Sequence, residues 1–291
     1  MPTSLLASIP SPGSGSIDLG PLTLRAYGVM IALGVLAAVE IGRRRWAARG
    51  YDPDDITAIA TWAVPAGLIG SRIYHVITDW KSFRGRWLDV FAIWQGGLGI
   101  PGGLVAGIGV GLWVTHRRGL SVPDAIDACI PGIPVAQAIG RLGNWFNQEL
   151  YGKPSDLPWA LEIDLAHRHP PHLDVETFHP TFLYEGLWNL ALFGVLVLID
   201  RRRVLKPGRL LAVYVFGYGL GRLWVETLRI DHASLLLGVR VNVWTSLFAM
   251  LVAGGFLLVS GRRADHAGRP GLVDQPDRVA QDTDAPGRPI I

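Results

Sequence analysis

The run Gly140-Arg141-Leu142-Gly143-Asn144-Trp145-Phe146-Asn147-Gln148-Glu149-Leu150-Tyr151-Gly152 sets a guanidinium, three amides and a carboxylate at the end of an apolar stretch, 122–140. On a helix Arg141, Asn144 and Gln148 would share one face, and Gly143 and Gly152 would leave the backbone open to close approach. Such a set suits the headgroup of a phospholipid. As a bare pattern it equally suits the capping of a helix and a loop. A second constellation lies in the apolar stretch 210–228 and just past it, where Tyr218, Arg222, Glu226 and Arg229 are spaced by 4, 4 and 3 residues and fall on one helical stripe. One reading is an ion pair that only holds helices together. The other is that one carboxylate cannot neutralise two guanidiniums, and the surplus charge invites a phosphate, for which arginine offers a bidentate fork. Arg72 with His75, and Glu185 with Tyr184, Trp188 and Asn189, are further polar groups inside apolar stretches. Each such group costs about 2.5–3.5 kcal/mol at the centre of a bilayer unless it has a partner, a wet cavity or a function. Glu185 either holds an arginine in place or is solvated at an interface.

Other polar residues carry less. His167, His169, His172 and His179 lack the spacing of a metal frame, so no metal site is expected. Cys129 is the sole cysteine, which rules out an internal disulfide and reads as a small core residue. Asp124 and Asp127 stand where carboxylates favour the start of a helix.

The elements that must position these groups are membrane spans. Charged residues make up only 18% of the 291 residues and the mean hydropathy is +0.30, against roughly 25% charge in soluble proteins. Apolar windows fall at 24–41, 56–77, 97–115, 122–140, 181–199, 210–228 and 241–260, each near the length a helix needs to cross the hydrocarbon. An all-α, polytopic membrane protein with about seven spans is expected. Arginine clusters follow the first, third, fifth and seventh windows (Arg43 to Arg45 with Arg49, Arg117 and Arg118, Arg201 to Arg203, Arg262 and Arg263). By the positive-inside rule those ends are cytoplasmic, with the N-terminus outside and the C-terminus inside. The expected organisation is an outer N-terminal segment 1–20, a transmembrane catalytic domain 21–263 with an irregular proline-containing outer cap at 141–180, and a disordered cytoplasmic tail 264–291. No basic cluster precedes an apolar run near Met1, so no removable signal peptide is expected. The formal charge of +3 points to lipid headgroups and not to nucleic acid, because the arginines flank apolar segments. Seven glycines in the third window read as tight helix packing in lipid, and only secondarily as a phosphate-cradling loop, since no strand precedes them. No internal repeat of the kind common in transporters is apparent.

The segment 140–152 resembles the signature of the bacterial prolipoprotein diacylglyceryl transferases, in which Gly-Arg-x-Gly-Asn, a later Asn, Glu and Gly recur in this order and spacing. Five further stretches are similar to the family in order: Tyr27-Gly28 in the first span; Gly70 to Arg72; Gln95 to Gly103; His179-Pro180 with Leu183-Tyr184-Glu185; and Gly217 to Glu226. The resemblance spans nearly the whole chain apart from its tails. It implies a multi-pass enzyme of the bacterial inner membrane, its active site toward the outer face. Such an enzyme moves the diacylglyceryl group of phosphatidylglycerol onto the lipobox cysteine of a prolipoprotein signal peptide, as a thioether, and releases glycerol phosphate. No cofactor is implied. Arg141 and Arg222 would then bind the leaving phosphate, Glu226 and Glu149 would orient those guanidiniums, and Asn144 would hydrogen-bond the lipid head. The lipid-binding set is completed by Gly152, Arg72, Glu185 and Arg229.

The chain departs from the family at Pro101, where some members have a histidine proposed to activate the thiol. Proline moves no proton. The proton acceptor is then Tyr27, His75 or a carboxylate, or else the arginine-rich field lowers the thiol pKa enough to need no dedicated base. A transporter or flippase is the competing class, and it would place charge at mid-bilayer and show inverted repeats.

Overall fold

The computed structural model describes residues 8–19, 22–93 and 96–260. The tail 264–291, Arg262 and Arg263 before it, the first seven positions and Gln95 of the third-span motif lie outside the described residues. The chain is mostly helical, with α1 Ala26–Ala47, α2 Asp54–Thr78, α3 Ile100–Arg117, α4 Val122–Cys129, α5 Gly132–Asn147, α6 Thr181–Arg201, α7 Leu210–Glu226 and α8 Val241–Ser260. Three short antiparallel strand pairs qualify the all-α expectation: β1 Ser16–Leu19 with β2 Leu22–Arg25, β3 Leu161–Glu162 with β4 Thr177–Phe178, and β5 Leu235–Leu236 with β6 Val239–Arg240. Among the described residues four helices, α1, α2, α6 and α8, are long and apolar enough to cross a membrane. The molecule is inside-out by the standard of a water-soluble protein. Ile69, Val105, Phe248 and Leu251 are exposed, while Asn144, Glu185, Asn189 and Glu226 are buried. That distribution is consistent with a polytopic membrane protein.

One expected span is divided. The apolar window 122–140 becomes two helices, because Pro131 has no N–H to continue the first and Pro134 is tolerated only in the first turn of the second. At its other end α5 runs on through Asn147, so Arg141 and Asn144 are helical and the irregular cap begins at Gln148. Gln148 is itself the left-handed cap of α5, with φ 51°. That turn takes it off the face of Arg141 and Asn144, and its amide nitrogen instead donates to Asp164 Oδ2 at 2.5 Å. The cap closes around Tyr151, Leu161, Ile163, Phe178 and Phe182.

Helix ends alternate between two levels. At one, Arg45 and Arg49 of the end of α1 bind Asp200 of α6 at 2.8 and 2.9 Å. At the same level Arg118 beyond α3 binds Asp55 at the start of α2 at 2.9 Å. Asp127 does not serve its own helix: its carboxylate accepts the N–H groups of Gly208 and Leu210 at 2.8 and 3.2 Å, at the start of α7. Cys129 packs beside Trp46 and Ile56 as a core residue.

Glycines set the helix spacing. A Cβ on Gly102 would lie 2.3 Å from the Gly70 carbonyl oxygen, and one on Gly70 would lie 2.5 Å from that of Gly102. The third-window glycines therefore serve the α2–α3 contact. Across α1 and α5, a Cβ on Gly132 would lie 2.7 Å from the Ala38 carbonyl oxygen. Gly102→Val is expected to lower stability in detergent by about 1–3 kcal/mol through overpacking, whereas Gly109→Ala, with nothing within 4 Å of the added carbon, is expected to be near neutral. Thermal unfolding of the two purified variants checks this.

Candidate active site

A cavity of about 720 Å³ opens between α1, α5, α7 and α8, lined among others by Tyr27, Arg141, Asn144, Tyr218, Arg222, Arg229 and Asn242. Its charged wall is assembled from four separate stretches of chain. Arg141 of α5 pairs with Glu185 Oε2 at 2.5 Å, and Arg222 of α7 pairs with Glu185 Oε1 at 3.4 Å. Glu185 is thus a buried bridge between two arginines and not an interfacial, solvated carboxylate. It reaches both because α6 and α7 approach closely: a Cβ on Gly221 would lie 2.2 Å from the Trp188 indole nitrogen, which donates to the Gly217 carbonyl at 3.0 Å.

Arg222 also approaches Glu226 Oε2 at 2.8 Å. That oxygen is buried and accepts no aligned hydrogen bond among the described residues, so the pair is Coulombic. Glu226 Oε1 receives Arg240 Nε at 2.5 Å and Asn242 Nδ2 at 3.2 Å. Arg240 continues to Asp231 Oδ2 at 3.2 Å, and Asp231 takes Arg229 in a bidentate pair at 2.7 and 2.9 Å. Burial pushes the Asp231 carboxyl upward, and its hydrogen bonds and charge contacts with Arg229 and Arg240 outweigh that and hold it below the usual carboxylate range.

This network revises the charge argument read from the stripe of α7. Glu226 does not face two cations alone, because Glu185 and Asp231 share the load. Four guanidiniums, Arg141, Arg222, Arg229 and Arg240, meet three carboxylates directly. The fourth carboxylate, Glu149, stands one amide away: its Oε1 accepts Asn144 Nδ2 at 2.8 Å and Asn147 Nδ2 at 3.4 Å, and Asn144 Oδ1 accepts Arg141 Nη1 at 3.1 Å. Glu149 therefore orients Asn144, and through it Arg141, with no direct hold on a guanidinium.

Other expected site residues lie apart. Gly152 joins the cap to the end of α7, bridging to Arg229 and donating its N–H to the His179 carbonyl at 2.9 Å; a Cβ there would lie 2.8 Å from that of His179. Arg72 does not line the cavity. Its guanidinium donates to the carbonyls of Val90 at 2.8 Å, Gly96 at 2.7 Å, Gly97 at 3.1 Å and Asp89, and lies over the Phe83 ring. His75 sits with it, edge-on to Phe83 and against Gly97. Tyr27 is at the cavity because Gly143 leaves room for its ring, a Cβ there falling 2.5 Å from Cδ2.

Arg240 and Asp231 escaped the motif reading, since each looks like an ordinary loop charge. One signal was available for Arg240: it is a basic residue at the end of a span where the positive-inside pattern calls for none. Arg240→Met strips partners from two carboxylates and is expected to lower stability by about 1–3 kcal/mol, with the exposed Arg202→Met as a near-neutral control. Thermal unfolding in detergent reads the difference.

The class is now defined: a mostly helical protein consistent with a polytopic membrane protein, with a cationic cavity braced by buried carboxylates. A family model described as prolipoprotein diacylglyceryl transferase matches residues 15–259. The chain belongs to that family, and it is a transferase. Similar proteins named phosphatidylglycerol–prolipoprotein diacylglyceryl transferase occur in Streptomyces griseus (48% identical over 286 residues, 97% of this chain and 86% of the relative) and Frankia alni (51% over 293 residues, 97% and 77%). Another is found in Mycobacteroides abscessus, 44% identical over 297 residues, covering 95% of this chain and 86% of the relative.

Proposed function

We propose that this chain transfers the diacylglyceryl group of phosphatidylglycerol to the lipobox cysteine thiol of a prolipoprotein signal peptide. A carbon–sulfur bond forms at the glycerol carbon that carries the phosphate. The carbon–oxygen bond to that phosphate breaks, the thiol proton is lost, and glycerol phosphate leaves. The observation that carries this reading is the Arg141–Glu185–Arg222 bridge on the cavity wall. It holds two bidentate cations ready for charge that grows on the departing phosphate, so little reorganisation remains for the reaction itself.

In this mechanism Arg141 and Arg222 bind and stabilise the leaving group, and Glu226 and Glu185 orient them. Asn144, aligned by Glu149, hydrogen-bonds the lipid head. Arg229 extends the cationic wall, and Gly152 and Arg72 act at a distance by fixing the cap and the loop before α3. Tyr27 is the candidate to take the thiol proton, supported by its place in the cavity lining, where His75 is absent. The chain crosses the bacterial inner membrane seven times, α4 and α5 together forming the fourth crossing. Its N-terminal segment 1–20 and the cap lie outside, domain 21–263 carries the chemistry, and tail 264–291 is cytoplasmic. The alternating helix ends and the arginine clusters support that orientation.

Arg141→Ala and Arg222→Ala are each expected to reduce thioether formation on a lipobox peptide at least about a hundredfold in phosphatidylglycerol membranes, with the protein still folded. Mass spectrometry of the peptide gives the yield, and wild-type rates in both variants would remove the clamp from the mechanism. For the proton, Tyr27→Phe is expected to change the pH profile of the rate and His75→Ala to leave its shape unaltered; the reverse result transfers the role to His75.

A further inference from the structure

A second recess, of about 570 Å³, lies at the other level of the bundle, where α1 and α6 end. Glu185 and Asp200 mark the two levels on α6, and fifteen residues of helix separate them by about 22 Å. The recess is lined by Arg44, Arg45, Arg49, Arg201 and Arg203, with Asp200 as the one acidic side chain among them. Asp200 holds Arg45 and Arg49, and Arg44 reaches Glu40 at 2.6 Å. Arg201 and Arg203 make no ion pair among the described residues.

Favourable placement of cations at the C-terminal ends of helices accounts for some of these residues. It does not account for Arg49. The side chain of Arg49 is only 6% exposed, it lines the recess, and its Nε is buried without a hydrogen-bond partner among the described residues. A buried donor left in that condition is costly unless a ligand satisfies it. The remaining wall is apolar, built by Ile41, Phe193 and Val197 on two helices long enough to span a bilayer. Excess guanidinium over an apolar wall fits a ligand with an anionic head and hydrocarbon chains.

We propose that this recess binds the phosphate of an anionic phospholipid, with Arg49, Arg201 and Arg203 on the headgroup and the acyl chains along Ile41, Phe193 and Val197. It is separate from the transfer cavity and shares no residue with it. A bound lipid here ties the ends of α1 and α6 beyond what Asp200 does alone.

The test uses the full chain in phosphatidylcholine nanodiscs doped with a diazirine-bearing phosphatidylserine or a diazirine-bearing phosphatidylcholine, followed by peptide mapping. The expected result is labelling of the ends of α1 and α6 by the anionic probe, reduced roughly tenfold by the double substitution Arg201→Gln, Arg203→Gln, with transfer activity, assayed separately in phosphatidylglycerol membranes, kept. This pair leaves the Asp200 bridges in place. Equal labelling by the phosphatidylcholine probe, or labelling indifferent to the substitutions, overturns the site. Loss of the label on adding excess inorganic phosphate overturns the lipid assignment, because the recess would then be a free-anion site.

Discussion

The two arginines proposed to bind the leaving group share one buried carboxylate. Glu185 meets Arg141 from one helix and Arg222 from another, and without it two guanidiniums would stand side by side in a low-dielectric wall. Like charges in such a place repel strongly, and an unpaired cation there has no water to fall back on. The surrounding packing serves that contact. Gly217 and Gly221 bring α6 against α7, and the small residues of α1 and α5 set the depth at which Arg141 stands.

The carboxylates also fix how selective the wall is. Four guanidiniums against three directly paired carboxylates, with a fourth held one amide away, leave a cluster close to neutral. A weak anion gains little by entering it. In the proposed reaction, a phosphate that gains charge as its bond to carbon breaks would gain more, which is the condition for favouring the transition state over the ground state.

Much of this arrangement was legible in the chain itself. Apolar windows located the helices, the cost of charge in lipid picked out Arg222, Glu226 and Glu185, and the polar run after the fourth window picked out Arg141. Hydropathy misplaced the end of α5, because it drops at Arg141 although the helix continues to Asn147. Polar side chains that face a protein-lined cavity need not end a helix, and hydropathy does not distinguish that cavity from water. It also passed over the break at Pro131, which lies among residues as apolar as its neighbours. The extension of the network through Asp231 and Arg240 depends on where the loop after α7 folds back, and nothing in local spacing encodes that return. Arg72 illustrates the opposite case. It shares residue type and burial with the cavity arginines, so sequence grouped it with them, yet all its hydrogen-bond acceptors are backbone carbonyls, which leave no mark in a sequence.

Those carbonyls have a consequence for how the protein is made. Every acceptor of Arg72 comes from 89–97, and α2 and α3 clasp one another through their own glycines. The hairpin therefore supplies acceptors for its own guanidinium as soon as 89–97 has been synthesised. Arg141 has only the Asn144 amide close by in the chain, since its carboxylate, Glu185, lies 44 residues further along. The α2–α3 hairpin is thus complete in its own partners early in the chain, whereas Arg141 gains its carboxylate only once α6 has been made.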